Sequence, residues 1–536
     1  MERKWWTLIA VSVAIFMLLL DITVVNVALP SIQRALHSSF ADLQWVVNAY
    51  ALTLAAFLLT AGAVSDLIGR RRVFVAGLVV FTLSSAVCGL STTPLMLNLA
   101  RAVQGTGGAM MYATSLALLA QAFHGRERGI AFGVFGAVTG AAVAIGPVIG
   151  GIITSGIGWD WIFFVNVPIG VAAVILTLTQ VSESRDPNAT GVDWAGLVTF
   201  SGALFLLGFA LIEGNEDGWG STRIVSFLIV AAVLLIAFVI AEHRQARPML
   251  DLTLFRRPAF AGASIVAFTL SASIFAMFLY LTLYVQDVLG YDALQAGLRF
   301  LPITLLSFIV APIAGRLSVR VPVRLLLGGG LLLVSGGLLA MTAVSPSSGW
   351  TALIPGFILG GAGIGMINPP LASTAIGVVH YSRSGMASGI NSTFRQVGIA
   401  TGIAGLGAIF EHEVTSSTTS ALAASGQQHA VQGAAHGQLS TLLVSGEVSK
   451  VFHALSPAAR TALAHSYRVG FVEGFDRILL IASAIALVGA VLAFVLVRSR
   501  DFVTSSAPTS AGEQPAPEQT ALSGREPLVA GAGEHR

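Results

Sequence analysis

Charge is scarce in this chain. Only 10% of its 536 residues are Asp, Glu, Lys or Arg, against 55% hydrophobic residues. A soluble domain carries about 25% charged residues. A chain of this length and composition cannot cover itself with polar surface and needs lipid as its solvent. Cysteine is nearly absent. Cys88 stands alone inside an apolar run, so no disulfide forms within the chain and a four-Cys zinc site is excluded. Lysine occurs only at Lys4 and Lys450, and neither follows a G-x-x-x-x-G stretch. The chain therefore has no phosphate-cradling loop of its own. Any uphill work it does draws on an ion gradient or on another subunit. The ten histidines show no H-E-x-x-H spacing, and five of them (His412, His429, His436, His453 and His465) fall in one polar stretch. They read as solvated side chains, not metal ligands. No set of intramembrane histidines or paired carboxylates suggests an enzyme.

Long apolar runs are what the chain does have. A bilayer core of about 30 Å needs roughly 20 apolar residues per helix. Fourteen runs qualify, at approximately 6–29, 42–64, 73–91, 95–122, 129–153, 162–181, 194–212, 223–241, 259–283, 294–314, 323–344, 351–379, 389–410 and 475–497. Lipid admits only helices or closed barrels, and runs this long without period-2 alternation are helices. The first run is longer than a signal h-region and is followed by many others, so it reads as a retained first helix. The expected fold class is an all-α integral membrane protein with 14 transmembrane helices: two six-helix bundles plus two extra central helices. The expected organisation is a first bundle at 1–181, two inserted helices at 194–242, and a second bundle at 259–500. The second bundle carries a long extracellular loop at 412–474, with room for short helices around Leu439 to Leu463, and 501–536 is a tail expected to be disordered.

The basic residues give the orientation. With the N-terminus inside, 20 of the 29 Lys and Arg residues fall in inside segments. That asymmetry places both termini in the cytoplasm. A faint internal repeat supports two related halves: Gly62, Ser65 and Arg71 after the second span share positions with Gly315, Ser318 and Arg324 after the tenth.

Two charges stand inside spans. Asp21 lies in the middle of the first, where a charged side chain costs about 2.5–3.5 kcal/mol on insertion scales. Such a group needs a partner or a task, and proton or cation coupling is the expected one. Arg101 lies in the fourth span. Nine residues separate Asp21 from Pro30 and seven separate Arg101 from Pro94, about 13 Å and 10 Å at the helical rise. The two therefore share a depth, and they are expected to face a common polar cavity.

Other clusters carry mechanical expectations. Gly62 allows close helix approach, Asp66 lies near the start of the third span, and Gly69, Arg70 and Arg71 follow. Together they suit a cytoplasmic gate latched by carboxylate–guanidinium bonds. Span five carries Gly136, Gly140, Gly146-Pro147 and Gly150-Gly151. Small residues allow tight packing in lipid and Pro147 removes a helical hydrogen bond, so this span reads as a hinged seam. In the back half, Asn368-Pro369-Pro370 is expected to break a helix, and Arg395 either snorkels or lines the cavity. Asn26, Tyr50, Gln104, Asn368 and Arg395 are the substrate-cavity candidates, with Tyr112, Phe135, Phe164, Phe275 and Tyr280 as further aromatics.

These elements together resemble the major facilitator superfamily, in particular its fourteen-helix drug/proton antiporter branch. Asp21-x-Thr-Val-Val-Asn-Val-Ala-Leu-Pro30 resembles that branch's first-helix signature, and Gly62 to Arg71 resembles the signature between helices 2 and 3, with Leu67 where a basic residue is common. Arg101 to Gly108 and Gly146-Pro147-Val-Ile-Gly150-Gly151 resemble the helix-4 and helix-5 signatures, and Trp159 to Gly170 another marker, with Asp160 where a basic residue is usual. The resemblance implies that Asp21 and Arg101 are the proton-coupling pair, that Asp66, Arg70 and Arg71 form the cytoplasmic gate, and that Gly146 and Pro147 form the antiporter hinge. It implies proton-coupled efflux of amphipathic or cationic drugs, or else export of one endogenous metabolite, antibiotic, siderophore or lipid precursor. The implied energy source is the proton gradient, with no cofactor. The implied setting is the inner membrane, with a small-molecule substrate, no nucleic-acid partner and a monomer as the working unit.

Overall fold

The computed structural model describes residues 2–123, 125–185, 191–245, 248–318, 320–378, 384–434 and 455–498. Helices dominate, and polar residues in the short connections start them. Ser39 and Asp42 form a reciprocal capping box that opens α2 (Phe40–Ile68) after α1 (Arg3–Leu36). After α3 (Arg70–Gly89), the Thr93 hydroxyl caps α4 (Pro94–Ala122), which has Pro94 in its first turn. Then come α5 (Gly125–Gly156) and α6 (Trp161–Gln180). The Asp193 and Ser221 side chains cap α7 (Trp194–Asp217) and α8 (Thr222–Arg244). The back half comprises α9 (Pro258–Val288), α10 (Ala293–Leu317), α11 (Val323–Met341), α12 (Ile354–Gly377), α13 (Ser384–Ala424) and α14 (Pro457–Leu496). Two π-helical turns, Ser271–Phe275 and Tyr284–Val288, interrupt α9.

Twelve of the described helices are long and apolar enough to cross a bilayer. Helices α4 and α13 are not among the twelve, although they run for 29 and 41 residues. Both carry polar residues within their apolar runs, Arg101 and Gln104 in one and Asn391, Arg395 and Gln396 in the other, which lower their apolar character.

In the front half α4 packs between α2 and α3, and α1 packs on α5 and α6. In the back half α12 packs between α10 and α11, and α14 between α11 and α13. The inserted pair is not a detached hairpin. Helix α7 lies against α2 and α13 at once. Trp45 Nε1 of α2 donates to Glu213 Oε1 of α7 at 3.0 Å, and Asn215 of α7 donates to the Ala408 carbonyl at 2.7 Å and to Glu411 Oε2 at 2.9 Å on α13.

The halves meet closely at the end opposite Arg70. A Cβ on Gly151 of α5 would lie 2.6 Å from the Ala293 carbonyl of α10, and Gly297 of α10 abuts the Pro147 carbonyl. Leu294 N donates to Ser155 Oγ at 3.0 Å, and Gln286 Nε2 donates to the Val27 carbonyl at 2.7 Å. These approaches require glycine because any side chain there would strike backbone. Towards the arginine end, Gly133 and Gly136 of α5 meet no atom of another element within 4 Å.

Three expectations need correction. Helix α12 runs unbroken through Pro369 and Pro370, because packed neighbours within a membrane can cover the carbonyls that a proline leaves free. The polar stretch 412–474 is not one loop. Helix α13 continues to Ala424, a short helix spans Gln428–Ala434, and α14 already begins at Pro457. Leu422, Val431, Leu455, Ala459 and Leu463 form a small apolar cluster that gives these extensions something to bury. Finally, Gly62 meets nothing within 4 Å and mediates no close helix approach in this conformation. The remaining positions of the polar stretch, 435–454, and the 501–536 tail lie outside the described residues.

Candidate functional site

Helices α1 and α4 bring Asp21 and Arg101 together. Arg101 Nη1 donates to Asp21 Oδ2 at 2.5 Å, and the two side chains are 2% and 0% exposed respectively. An ion pair this deep survives only if other donors and acceptors of the two groups are also engaged. Several are. Arg101 Nε donates to the Val46 carbonyl of α2 at 3.1 Å, and Nη1 also reaches Gln104 Oε1 at 2.7 Å. The other Asp21 oxygen accepts from Gln104 Nε2 at 3.0 Å and from Asn166 Nδ2 of α6 at 3.1 Å. Asn166 donates as well to Ser85 Oγ of α3 at 3.1 Å. The Tyr50 ring lies 4.3 Å from the Arg101 guanidinium carbon, a cation–π contact.

Helices α4 and α6 thus bond the carboxylate of α1 directly, and α2 and α3 hold those partners in turn. Small residues make this arrangement possible. A Cβ on Gly105 would strike the Tyr50 backbone and Thr53, and one on Gly146 would strike Thr23 of α1. The depth argument anticipated a common polar cavity, but both side chains are buried instead. The pair is sealed inside the front half, and Tyr50 and Gln104, two of the cavity candidates, are buried as its immediate neighbours.

Two other candidates meet elsewhere. Arg395 Nη2 of α13 donates to Asn368 Oδ1 of α12 at 2.9 Å. Asn26 is partly exposed on α1, and its amide donates to the Ile22 carbonyl one turn back. Gly150 is buried against Val24 of α1, so α5 packs on α1 through Gly146 and Gly150 and on α10 through Pro147 and Gly151. Pro147 lies within a continuous helix.

At the arginine end, Arg70 Nε and Nη2 donate to Asp66 Oδ1 at 3.0 and 2.9 Å. The other bonds of this loop run to the chain just after α6. Arg70 N donates to the Ser184 carbonyl at 2.7 Å, and Arg71 Nη1 to the Val181 carbonyl at 3.1 Å. The Glu183 carboxylate accepts from the backbone amides of Arg71 and Arg72 at 3.0 and 3.2 Å, at the positive start of α3. Asp66 was expected near that start, but Glu183 occupies it. Gly69, at φ +122, is crowded by the Glu183 carboxyl, so a larger residue would be strained in backbone and displaced in space. Among the described residues, the hydrogen-bond partners of this loop belong to the front half or to the segment just after it, and none comes from the back half.

Sequence reasoning missed Asn166, Ser85 and Glu183. Asn166 had a signal, as an amide within the apolar stretch Phe163 to Pro168. Ser85 and Glu183 had none, because small hydroxyls and loop carboxylates are common in any membrane chain.

The fold and site define a polytopic helical transporter with an intramembrane ion pair. The sequence profile of the Major Facilitator Superfamily matches residues 11–403. The chain belongs to that superfamily. It is 38% identical over 404 residues to the multidrug resistance protein Stp of Mycobacterium tuberculosis, covering 75% of each chain. It is 34% identical over 503 residues to the puromycin resistance protein pur8 of Streptomyces alboniger, covering 93% and 92%. It is 33% identical over 413 residues to the tetracenomycin C resistance and export protein of Streptomyces glaucescens, covering 77% of each. Among solved structures, a bacterial homolog of the human lysosomal transporter Spinster in an inward-facing, unoccupied conformation aligns at a TM-score of 0.58. That alignment covers 94% of this chain and 99% of that one at 16% identity.

Proposed function

We propose that this protein is a proton-coupled antiporter that exports amphipathic small molecules from the cell by alternating access. The observation that carries the reading is the Asp21–Arg101 pair, sealed within the front half and held by Gln104 and Asn166. A proton arriving on Asp21 would cancel the attraction to Arg101 and leave a buried cation without its counter-ion. The network must then rearrange, and α1, which carries Asp21, also packs on α5 and contacts α9 across the seam. Protonation at the pair is thereby tied to the contact between halves. The drug-resistance and export relatives agree with outward transport.

In this reading all fourteen helices cross the membrane, α4 and α13 included, with both termini cytoplasmic. The front bundle is 1–181, the inserted pair 194–242 and the back bundle 259–500. Helix α7 lies along the seam between the bundles. The arginine end is cytoplasmic, which makes the observed conformation closed towards the outside. The Asp66–Arg70 loop acts as the cytoplasmic gate, and Gly146 to Gly151 as the pivot. The protein resides in the cell membrane and works as a monomer.

The deciding experiment is ethidium efflux from cells expressing the chain, with and without a protonophore. Protonophore-sensitive efflux that is abolished by Asp21→Asn supports the reading. Efflux indifferent to the protonophore, or full pH-driven transport by Asp21→Asn, overturns the coupling. A second reading, a dedicated exporter of one metabolite, is favoured by the tetracenomycin-exporting relative. It predicts no dye efflux beside export of a single host compound.

A further inference from the structure

Asp21 and Arg101 neutralise each other out of reach of any substrate. Arg395 is different. It stands eleven residues into α13, about 16 Å along the helix axis from Ser384. The apolar run of this helix begins near residue 389, so Arg395 lies about 9 Å inside it. A guanidinium presents five N–H donors. Asn368 of α12 accepts one of them, and among the described residues no carboxylate pairs with Arg395. Helix α13 also contacts α4, a helix of the opposite half that carries Tyr112. Both Arg395 and Tyr112 are partly exposed. The bond to α12 and the contact of α13 with α4 are consistent with the exposed part of Arg395 lying towards the space between the halves.

An uncompensated cation at this depth is costly. The cost falls when an anion binds, and a planar fork with adjacent free donors matches a carboxylate bidentately. Phe394 and Phe255 pack beside this stretch with ring centroids 5.7 Å apart, so an apolar wall adjoins the charge. We propose that Arg395, steadied by Asn368, anchors an acidic group on the exported molecule, either a carboxylate or an ionised phenol. Substrates that combine an aromatic body with such a group are then preferred over cations of the same shape. This rests on the export reading above and narrows its substrate class.

The test uses two dyes on one xanthene frame, anionic fluorescein and a cationic rhodamine. Their affinities are measured by fluorescence for the full chain in lipid nanodiscs. Arg395→Gln is expected to weaken fluorescein about tenfold or more and to leave rhodamine within about twofold. Arg395→Lys keeps the charge but loses the fork, and should weaken fluorescein severalfold with rhodamine unchanged. Unaltered fluorescein affinity in both variants overturns the proposal. So does an equal loss for both dyes, which would make Arg395 a purely structural tie. If the Gln variant does not fold, the Lys variant decides by the same comparison. The binding readout is independent of transport. Wild-type proteoliposomes that bind fluorescein through Arg395 but export neither dye against a proton gradient would overturn the export reading and leave this inference standing.

Discussion

The Asp21 carboxylate and the Arg101 guanidinium, eighty residues apart in sequence, meet at 2.5 Å in a pocket that shields both almost completely. Both Asp21 oxygens are engaged, one by the guanidinium and the other by the amides of Gln104 and Asn166. A charge pair built this way is costly to break on one side and much less costly to remove as a whole.

Removing one partner therefore exposes the asymmetry. Arg101→Ala leaves Asp21 buried without its cation and should lower folding stability by about 3–5 kcal/mol. The double variant Asp21→Asn with Arg101→Gln should be more stable than the sum of its single variants predicts, by more than about 1 kcal/mol. Thermal unfolding of the four proteins in detergent gives the cycle. Additive losses would mean that the two charges do not interact.

Asn166 tests the positioning of Asp21. Asn166→Ala removes one donor to Asp21 and the tie to Ser85, and should cost about 1–3 kcal/mol. Transport should fall while substrate affinity is kept, because Asn166 is buried and bonds Asp21 and Ser85. Parallel dye-binding and dye-efflux measurements separate the two. A matching loss of binding would place Asn166 in the substrate site instead.

Glu183 and Asp66 should behave oppositely under mutation. Glu183 caps two backbone amides at the start of α3, and Glu183→Ala should cost about 1 kcal/mol. The Asp66–Arg70 bond is a partly exposed surface pair, so Asp66→Asn should change stability by less than about 1 kcal/mol. If Asp66 serves the gate, its variant should nevertheless transport poorly. A stable Asp66→Asn protein with normal transport would remove Asp66 from the gate.

Gly151→Ala should loosen the end opposite Arg70. The added methyl would lie 2.6 Å from the Ala293 carbonyl, and such overpacking costs about 1–3 kcal/mol. The contact between α5 and α10 should open, and a cysteine placed at Ser155 should react faster with a water-soluble maleimide. The native Cys88 is fully buried and gives little background. Unchanged labelling would show that the seam absorbs the methyl without opening.

Residue type and spacing alone determined that the chain lives in lipid, that it is helical, and that Asp21 and Arg101 sit at one depth. These follow from the cost of exposing apolar surface to water and from the rise of a helix, both local properties. The shared depth did not reveal whether the two charges face an opening or seal one another. That depended on Asn166 and Gln104 arriving from α6 and α4, and on glycines that let the helices close around the pair. Proline at 369 and 370 looked like a break because local rules count the lost hydrogen bond and not the neighbours that surround the helix. The polar stretch after Glu411 looked like a loop, yet the flanking helices run on into it and bury Leu422 and Leu463 in a cluster of their own. The orientation of Arg395 was open for the same reason. Its helix position was legible, but its tie to Asn368 was not, because that bond exists only through the packing of α12 against α13.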